Sequence, residues 1–249
     1  MAKEIIVFSG VEKIAKYILD LLIQKSLHTP EGNFITMALS GGSTPKQIFS
    51  YISTNDNGKI HWNKIKLFWG DERCVPPDHD DSNYKMTKKN LLETIAIPAE
   101  NIFRIRGENA AELEATRYRA VITDNTKSEN GLPIFDIFLL GMGEDGHTAS
   151  IFPGNESLFQ SPNICEAVIH PQTKQQRITI TGPVINNAAN IIFLVTGTGK
   201  AAMAERLLNN NTDTNLPATF VKPVHGKLFW LFDEKAAMLL TVATKKYLE

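Results

Sequence analysis

Cysteine is scarce in this chain. Cys74 and Cys165 are the only two in 249 residues, and neither lies in a C-x-x-C. That excludes a disulfide framework and a structural zinc site, and leaves two reduced, partly buried thiols as the expectation. Charge of one sign is lacking too. A formal net charge of −1 gives no basis for a nucleic-acid surface or an acidic tail. It does not exclude a local basic pocket, because net charge says nothing about arrangement. No apolar run approaches the ~20 residues that span a bilayer. The opening MAKEIIVFSG turns polar too early for a signal peptide. These absences predict a cytoplasmic protein with no membrane or nucleic-acid partner.

What is present is an alternation of strand-like and helix-like segments. Strands are predicted at residues 4–8, 34–39, 65–69, 135–140, 165–169, 177–181, 190–196 and 227–232, from short β-branched or apolar runs. Amphipathic or helix-prone stretches fall at 11–27, 46–52, 83–94, 110–124, 201–208 and 234–240. Residues 53–59, 127–131 and 209–215 read as polar surface loops. None is long enough to be a linker, so residues 1–249 are expected to form a single domain. Strands separated by helices predict an α/β fold: a mostly parallel, Rossmann-like open sheet flanked by helices. Ligands of such sheets sit outside the carboxyl ends of the strands. Four polar, glycine-bearing loops occur there: SGGSTP after Leu39, GDER after Trp69, GMGEDGH after Leu140 and GTGK after Thr196. They converge only if their strands are neighbours.

In SGGSTP, Gly41 and Gly42 let backbone approach a ligand closely. Ser43 and Thr44 add hydroxyls, and Pro45 suits the first turn of a helix. A strand, a glycine turn and a helix N-terminus make an anion site; a plain capped turn is the other reading. GTGK is no P-loop, because Leu194 and Ala201 stand where that motif needs glycine and Ser or Thr. Lys200 opening a helix is unfavourable without an anion, or else it is a surface lysine. In GDER, Arg73 can clamp a carboxylate or phosphate, or the charges pair among themselves. Asp78, His79, Asp80 and Asp81 fit neither a calcium loop nor a zinc site, so no metal is expected.

GMGEDG spells a dinucleotide fingerprint, but that motif needs a long helix and an acid ending the next strand. Pro153 and Gly154 cut any helix short, and Glu166 begins a strand instead of ending one. What remains is Asp145 beside His147. An imidazole with a reference pKa of about 6.5 exchanges protons near neutrality, and an adjacent carboxylate orients it.

SGGSTP, GDERCVPPDHDDSNY, LLGMGEDGHTASIFPG, RITITGP and VTGTGKA occur in the order found in the 6-phosphogluconolactonases, which this chain resembles over about residues 35–205. That group shares its fold and several motifs with glucosamine-6-phosphate deaminases. In the deaminases Asp-Gly-His continues Ile-Ala-Phe-Asn-Glu-Pro, and that Glu assists ring opening. Here Phe152 stands in its place, within a D-G-H-T-A-S pattern typical of lactonases, and Arg73 replaces an aromatic residue. The resemblance implies hydrolysis of 6-phospho-D-glucono-1,5-lactone in the oxidative pentose phosphate pathway, without a cofactor, by a protein expected to be a monomer. It implies a phosphate site of Gly41, Gly42, Ser43, Thr44, Arg177 and Lys200. His147 would be the general base, oriented by Asp145. Arg73 or backbone N–H groups of residues 141–147 would hold the oxyanion. Asp71 and Asn83 would meet sugar hydroxyls or support Arg73, and Gly143 would leave room for the sugar. The alternatives are the deaminase reaction and a non-catalytic sugar-phosphate sensor. Sensors of this fold carry a DNA-binding segment ahead of the domain, for which the start of this chain is expected to leave no room.

Overall fold

A computed structural model describes residues 3–209, 215–241 and 245–248. Residues 210–214 of the predicted polar loop lie outside that set. The chain begins β1 (Lys3–Phe8), α1 (Val11–His28), β2 (Ile35–Leu39), α2 (Ser43–Asn55) and β3 (Ile65–Trp69). It continues with β4 (Asp71–Arg73), α3 (Asn83–Thr87), β5 (Ile102–Phe103) and α4 (Ala111–Asn125). Then come β6 (Lys127–Glu129), β7 (Leu132–Ile134), β8 (Ile137–Leu140), β9 (Cys165–Ile169), β10 (Gln176–Ile180) and α5 (Gly182–Asn186). The described chain ends with β11 (Asn190–Val195), α6 (Ala201–Leu208), β12 (Lys227–Asp233), α7 (Glu234–Ala237) and β13 (Lys245–Leu248).

The local reasons are ordinary ones. In α1 the buried positions Ile14, Ala15, Ile18, Leu19 and Leu22 recur at helical spacing, and Lys25 and His28 meet the negative end of its dipole. Strands β2 and β8 are buried at every position, the pattern of a parallel sheet covered on both faces. The main sheet has the order β13-β1-β12-β11-β8-β2-β3-β5, and every adjacent pair is parallel. The α/β expectation therefore holds. The chain steps from β2 outward to β3 and β5, then returns to β8 on the other side of β2 and steps away through β11 and β12. The order reverses between β2 and β8, and a crevice opens there. Only two residue pairs join these strands, Met37 with Ile137 and Ala38 with Phe138. Below them the Asp136 carboxylate accepts both the Thr36 N–H (2.8 Å) and its hydroxyl (2.9 Å), which pins the register.

Five expectations need correction. Residues 165–169 and 177–181 do not join the main sheet. With Asp71–Arg73, read from sequence as loop, they form a separate antiparallel sheet of order β4-β10-β9. Residues 127–131 form a hairpin, because Asn130 and Gly131 take φ of 51° and 80° and make the turn that joins paired strands. Residues 53–55 finish α2. The helix predicted at 83–94 is α-helical only to Thr87 and widens to a π-helical turn at Lys88–Leu92, where the Asn90 amide donates to the Met86 carbonyl and competes with the helical ladder. The helix predicted at 234–240 ends at Ala237. There Asn209 takes the Leu239 carbonyl and the Thr241 N–H with its side chain.

The partner strand β5 is only two residues long, so it ends before Trp69 at the tip of β3. The Tyr118 hydroxyl of α4 fills the gap. It accepts the Trp69 N–H at 2.8 Å and donates to the Trp69 carbonyl at 3.0 Å, and it is fully buried. Tyr118→Phe strands both backbone groups in the core, at about 1–3 kcal/mol. Urea unfolding of that variant is expected to show a loss of this size with secondary structure retained at zero denaturant.

Candidate active site

Strands β11, β8, β2 and β3 are consecutive in the sheet, so the four glycine loops do converge. They surround a cavity of about 190 Å³. Every expected site residue except Asp145 lines it: Gly41, Gly42, Ser43, Thr44, Asp71, Arg73, Asn83, Gly143, His147, Arg177 and Lys200. Asp145 stands behind His147.

The loop after β8 is folded around its own backbone. The Gly143 N–H donates to the His147 carbonyl (2.9 Å), and the Gly146 N–H donates to the Gly143 carbonyl (3.2 Å). A side chain on Gly143 would run into the His147 ring and the Asp145 carboxylate, so this close approach requires glycine. Asp145 Oδ1 accepts the His147 N–H at 3.2 Å and lies 2.5 Å from Nδ1. Partial burial disfavours charge on Asp145, but the hydrogen bond and charge of His147 outweigh it and hold the carboxyl down to about 2. An ionised carboxylate assigns the proton to Nδ1. Nε2, on the far side of the ring, has no partner among the described residues.

The same loop then doubles back. Thr148 and Ile151 exchange backbone hydrogen bonds, and Ala149 adopts φ 49°, a left-handed conformation costly for a residue with a side chain. This turn sends the buried Ser150 hydroxyl to Asp71 Oδ2 at 2.7 Å. Phe152 is buried, with its ring centroid 5.0 Å from that of His147 and 4.7 Å from that of His170. No carboxylate occupies position 152.

Two arginines face each other across β4 and β10, where Arg177 pairs with Arg73. Arg73 Nη1 donates to the Asp81 carbonyl at 2.5 Å. The Nε atoms of both arginines are buried without a partner among the described residues. Burial, and then the Arg73 charge, lower the pKa of Arg177. The guanidinium of Arg177 also lies 5.7 Å from the Phe152 ring.

At the next loop, α2 starts after Gly42 at φ 105° with no side-chain cap, so its first N–H groups stay open toward the cavity. Thr44 and Thr196 join hydroxyls at 2.7 Å, which ties the β2 and β11 loops together. Asp233 accepts the Gly197 N–H with both oxygens (3.0 and 3.1 Å) and caps α7. This holds the turn that presents Lys200, whose only ion pair among the described residues is a long 3.9 Å contact with the exposed Glu144.

Sequence reasoning missed Glu72, Ser150, Thr196 and Asp233. Glu72 was read within a charge cluster, yet its side chain does not bond that of Arg73. It is buried at 2% exposure and accepts the N–H groups of Arg73, Asn83 and Tyr84 and the Ser82 hydroxyl. Burial raises its pKa despite these donors. The clamp fixes the start of α3, and with it Asn83, whose amide donates to the Asp71 carbonyl at 3.0 Å. The one sequence cue was Ser82 as a helix cap. Cys74 and Cys165 are free thiols, and burial raises both pKa values, Cys74 to about 11. Among the described residues no cluster of three or more His, Cys, Asp or Glu side chains could hold a metal ion, and no helix is long and apolar enough to cross a membrane.

Similarity to known proteins agrees with this geometry. The chain is 41% identical over 197 residues to a 6-phosphogluconolactonase of Treponema pallidum, covering 79% of this chain and 80% of that one. It is 38% identical over 234 residues to a 6-phosphogluconolactonase of Haemophilus influenzae, covering 93% and 95%. The crystal structure of a devB protein superposes with a TM-score of 0.89 at 35% identity, over 95% of this chain and 99% of that one. The family described as glucosamine-6-phosphate isomerases/6-phosphogluconolactonase matches residues 10–230, and the chain belongs to it.

Proposed function

We propose that this protein hydrolyses 6-phospho-D-glucono-1,5-lactone to 6-phosphogluconate, within the oxidative pentose phosphate pathway. The observation that carries the reading is the Asp145–His147 pair at one wall of a cavity whose other walls supply a helix N-terminus, Arg177 and Lys200. A base and an anion site in one cavity of this size suit a sugar phosphate whose reacting carbonyl lies away from its phosphate. Phe152 at the position of the deaminase Glu favours the lactonase over the deaminase reaction. The unit is residues 1–249 acting as one cytoplasmic, monomeric domain on a small molecule, and the chemistry assigned to it uses no cofactor.

A δ-lactone is an activated ester, so water suffices as nucleophile. His147 Nε2 removes a proton as the water oxygen bonds to the lactone carbonyl carbon. The tetrahedral intermediate then expels the ring oxygen, which takes the proton back from the imidazolium. The new carboxylic acid ionises to solvent. Asp145 stabilises the imidazolium between these transfers, and general-base catalysis of this kind contributes about 10²–10⁴-fold. The N–H groups of Gly143, Gly146 and His147 are engaged within their loop. That favours Arg73 over the loop backbone as the donor to the oxyanion, a role typically worth about 2.7–4 kcal/mol. Phosphate held by Ser43, Thr44, Arg177 and Lys200 fixes the carbonyl against the base. Asp71 and Asn83 take sugar hydroxyls beside Gly143.

The test supplies fresh lactone and follows 6-phosphogluconate formation above the spontaneous rate; no excess over background refutes the reading. His147→Ala is expected to lower kcat by about 10²–10⁴-fold with little change in KM, and near-normal turnover rules it out as the base. Arg177→Ala or Lys200→Ala removes a charged hydrogen bond worth about 1.5–3 kcal/mol. Each is expected to raise KM for the phosphorylated lactone by about 10–100-fold and to leave hydrolysis of unphosphorylated δ-gluconolactone unchanged. An equal loss on both lactones would place the phosphate elsewhere.

A further inference from the structure

We propose that Ser150 is a positioning residue of this site, acting through Asp71 to set where the sugar ring lies relative to His147; this rests on the lactonase reading above. Asp71 lines the cavity and Ser150 does not. Asp71 is 5% exposed and Ser150 is fully buried, so water does not serve the carboxylate from behind. Its Oδ2 is held by the Ser150 hydroxyl at 2.7 Å. Among the described residues its Oδ1 has only the distant Asn83 amide, at 3.5 Å. One oxygen is therefore fixed by protein, and the other keeps capacity to accept a hydrogen bond from a hydroxyl in the cavity.

The geometry of Ser150 is itself determined on three sides. Its N–H donates to the Thr179 hydroxyl on β10 at 3.3 Å. The reciprocal Thr148–Ile151 hydrogen bonds close the turn around it, and Ala149 holds a left-handed φ of 49° to make that turn. The Thr148 hydroxyl anchors the turn's other end to the Gly141 carbonyl at 2.9 Å. A strained residue over-determined by its neighbours is the mark of a constrained site. The outcome is a rigid bridge. His147 and Ser150 are three positions apart on one loop, and Ser150 grips a carboxylate that follows a different strand, 79 residues away in sequence. The base and the ring-binding carboxylate are thereby held at one separation, which a backbone hydrogen bond could not do because Asp71 and His147 share none.

Misplacement of a bound carbonyl against its base lowers the rate more than the affinity. Ser150→Ala is expected to lower kcat by about tenfold or more, the scale of one hydrogen bond to a charged group. KM is expected to stay within about threefold, because the phosphate contacts that dominate binding are untouched. A structural role alone would depress kcat in any background. The discriminating measurement is a double-mutant cycle with Asp71→Ala, which leaves Ser150 no side-chain acceptor at position 71: the Ser150→Ala loss should shrink below about twofold once the carboxylate it positions is gone. Melting curves of all four proteins accompany the kinetics. Equal fold losses in both backgrounds overturn the inference while leaving the lactonase reading standing. Absence of lactonase activity in the unmodified protein overturns both. Should Ser150→Ala not fold, Ser150→Cys, with a weak donor of similar size, carries the same cycle and the same two readings.

Discussion

The reversal of strand order between β2 and β8 is the constraint on which the site depends. Neighbouring strands at a switch point send their following segments to opposite sides, so backbone does not fill the space above them. In this fold the two flanking loops are SGGSTP and GMGEDGH, about one hundred residues apart in sequence. One brings a helix N-terminus and the other an imidazole. The reversal also leaves little ladder between the two strands, and the Asp136 carboxylate on Thr36 compensates for it. A slip of one residue there would exchange the side chains that one strand presents to the two covered faces of the sheet and separate the two loops.

Around that crevice, three buried carboxylates do the work of holding loops in place. Glu72 gathers three N–H groups and a hydroxyl, Asp233 gathers three hydrogen bonds from two segments, and Asp71 is gripped by Ser150. A buried carboxylate without partners is expensive, whereas one surrounded by donors fixes every donor it touches. Glu72 and Asp233 therefore act on chain geometry and face away from chemistry. Their effect reaches the cavity only through Arg73, Asn83 and the turn that carries Lys200.

Much of the fold was legible because its signals are local. Ile65–Trp69 and Ala201–Leu208 were read with their observed limits, since a run of apolar residues or a helical stripe needs no distant partner to show itself. The antiparallel sheet was not legible, because nothing in QRITI or CEAVI says which strand it pairs with. The Asn130–Gly131 turn was legible in principle and was hidden by the polarity of its flanks. The same division holds at the site. Loops with glycine and a catalytic residue type stood out, and Arg177 entered only through family resemblance. The residues that grip others, such as Ser150 and Glu72, were invisible because their meaning lies in a partner far off in sequence.

The arginine pair shows how such an arrangement bears on catalysis. Two guanidiniums on paired positions of β4 and β10 repel each other, and each leaves Nε buried without an acceptor among the described residues. Buried donors and like charge at one place oppose folding unless an anion joins them. An anion between them relieves both costs together, and an anion that forms only during reaction relieves them only then. Interactions of the second kind lower the barrier, whereas those of the first kind only tighten binding. Both arginines line the cavity, Arg73 on the strand that begins with Asp71 and Arg177 opposite it on β10. On the proposed reaction the pair divides the labour: one charge is spent on the phosphate that arrives, and the other is kept for the oxyanion that develops.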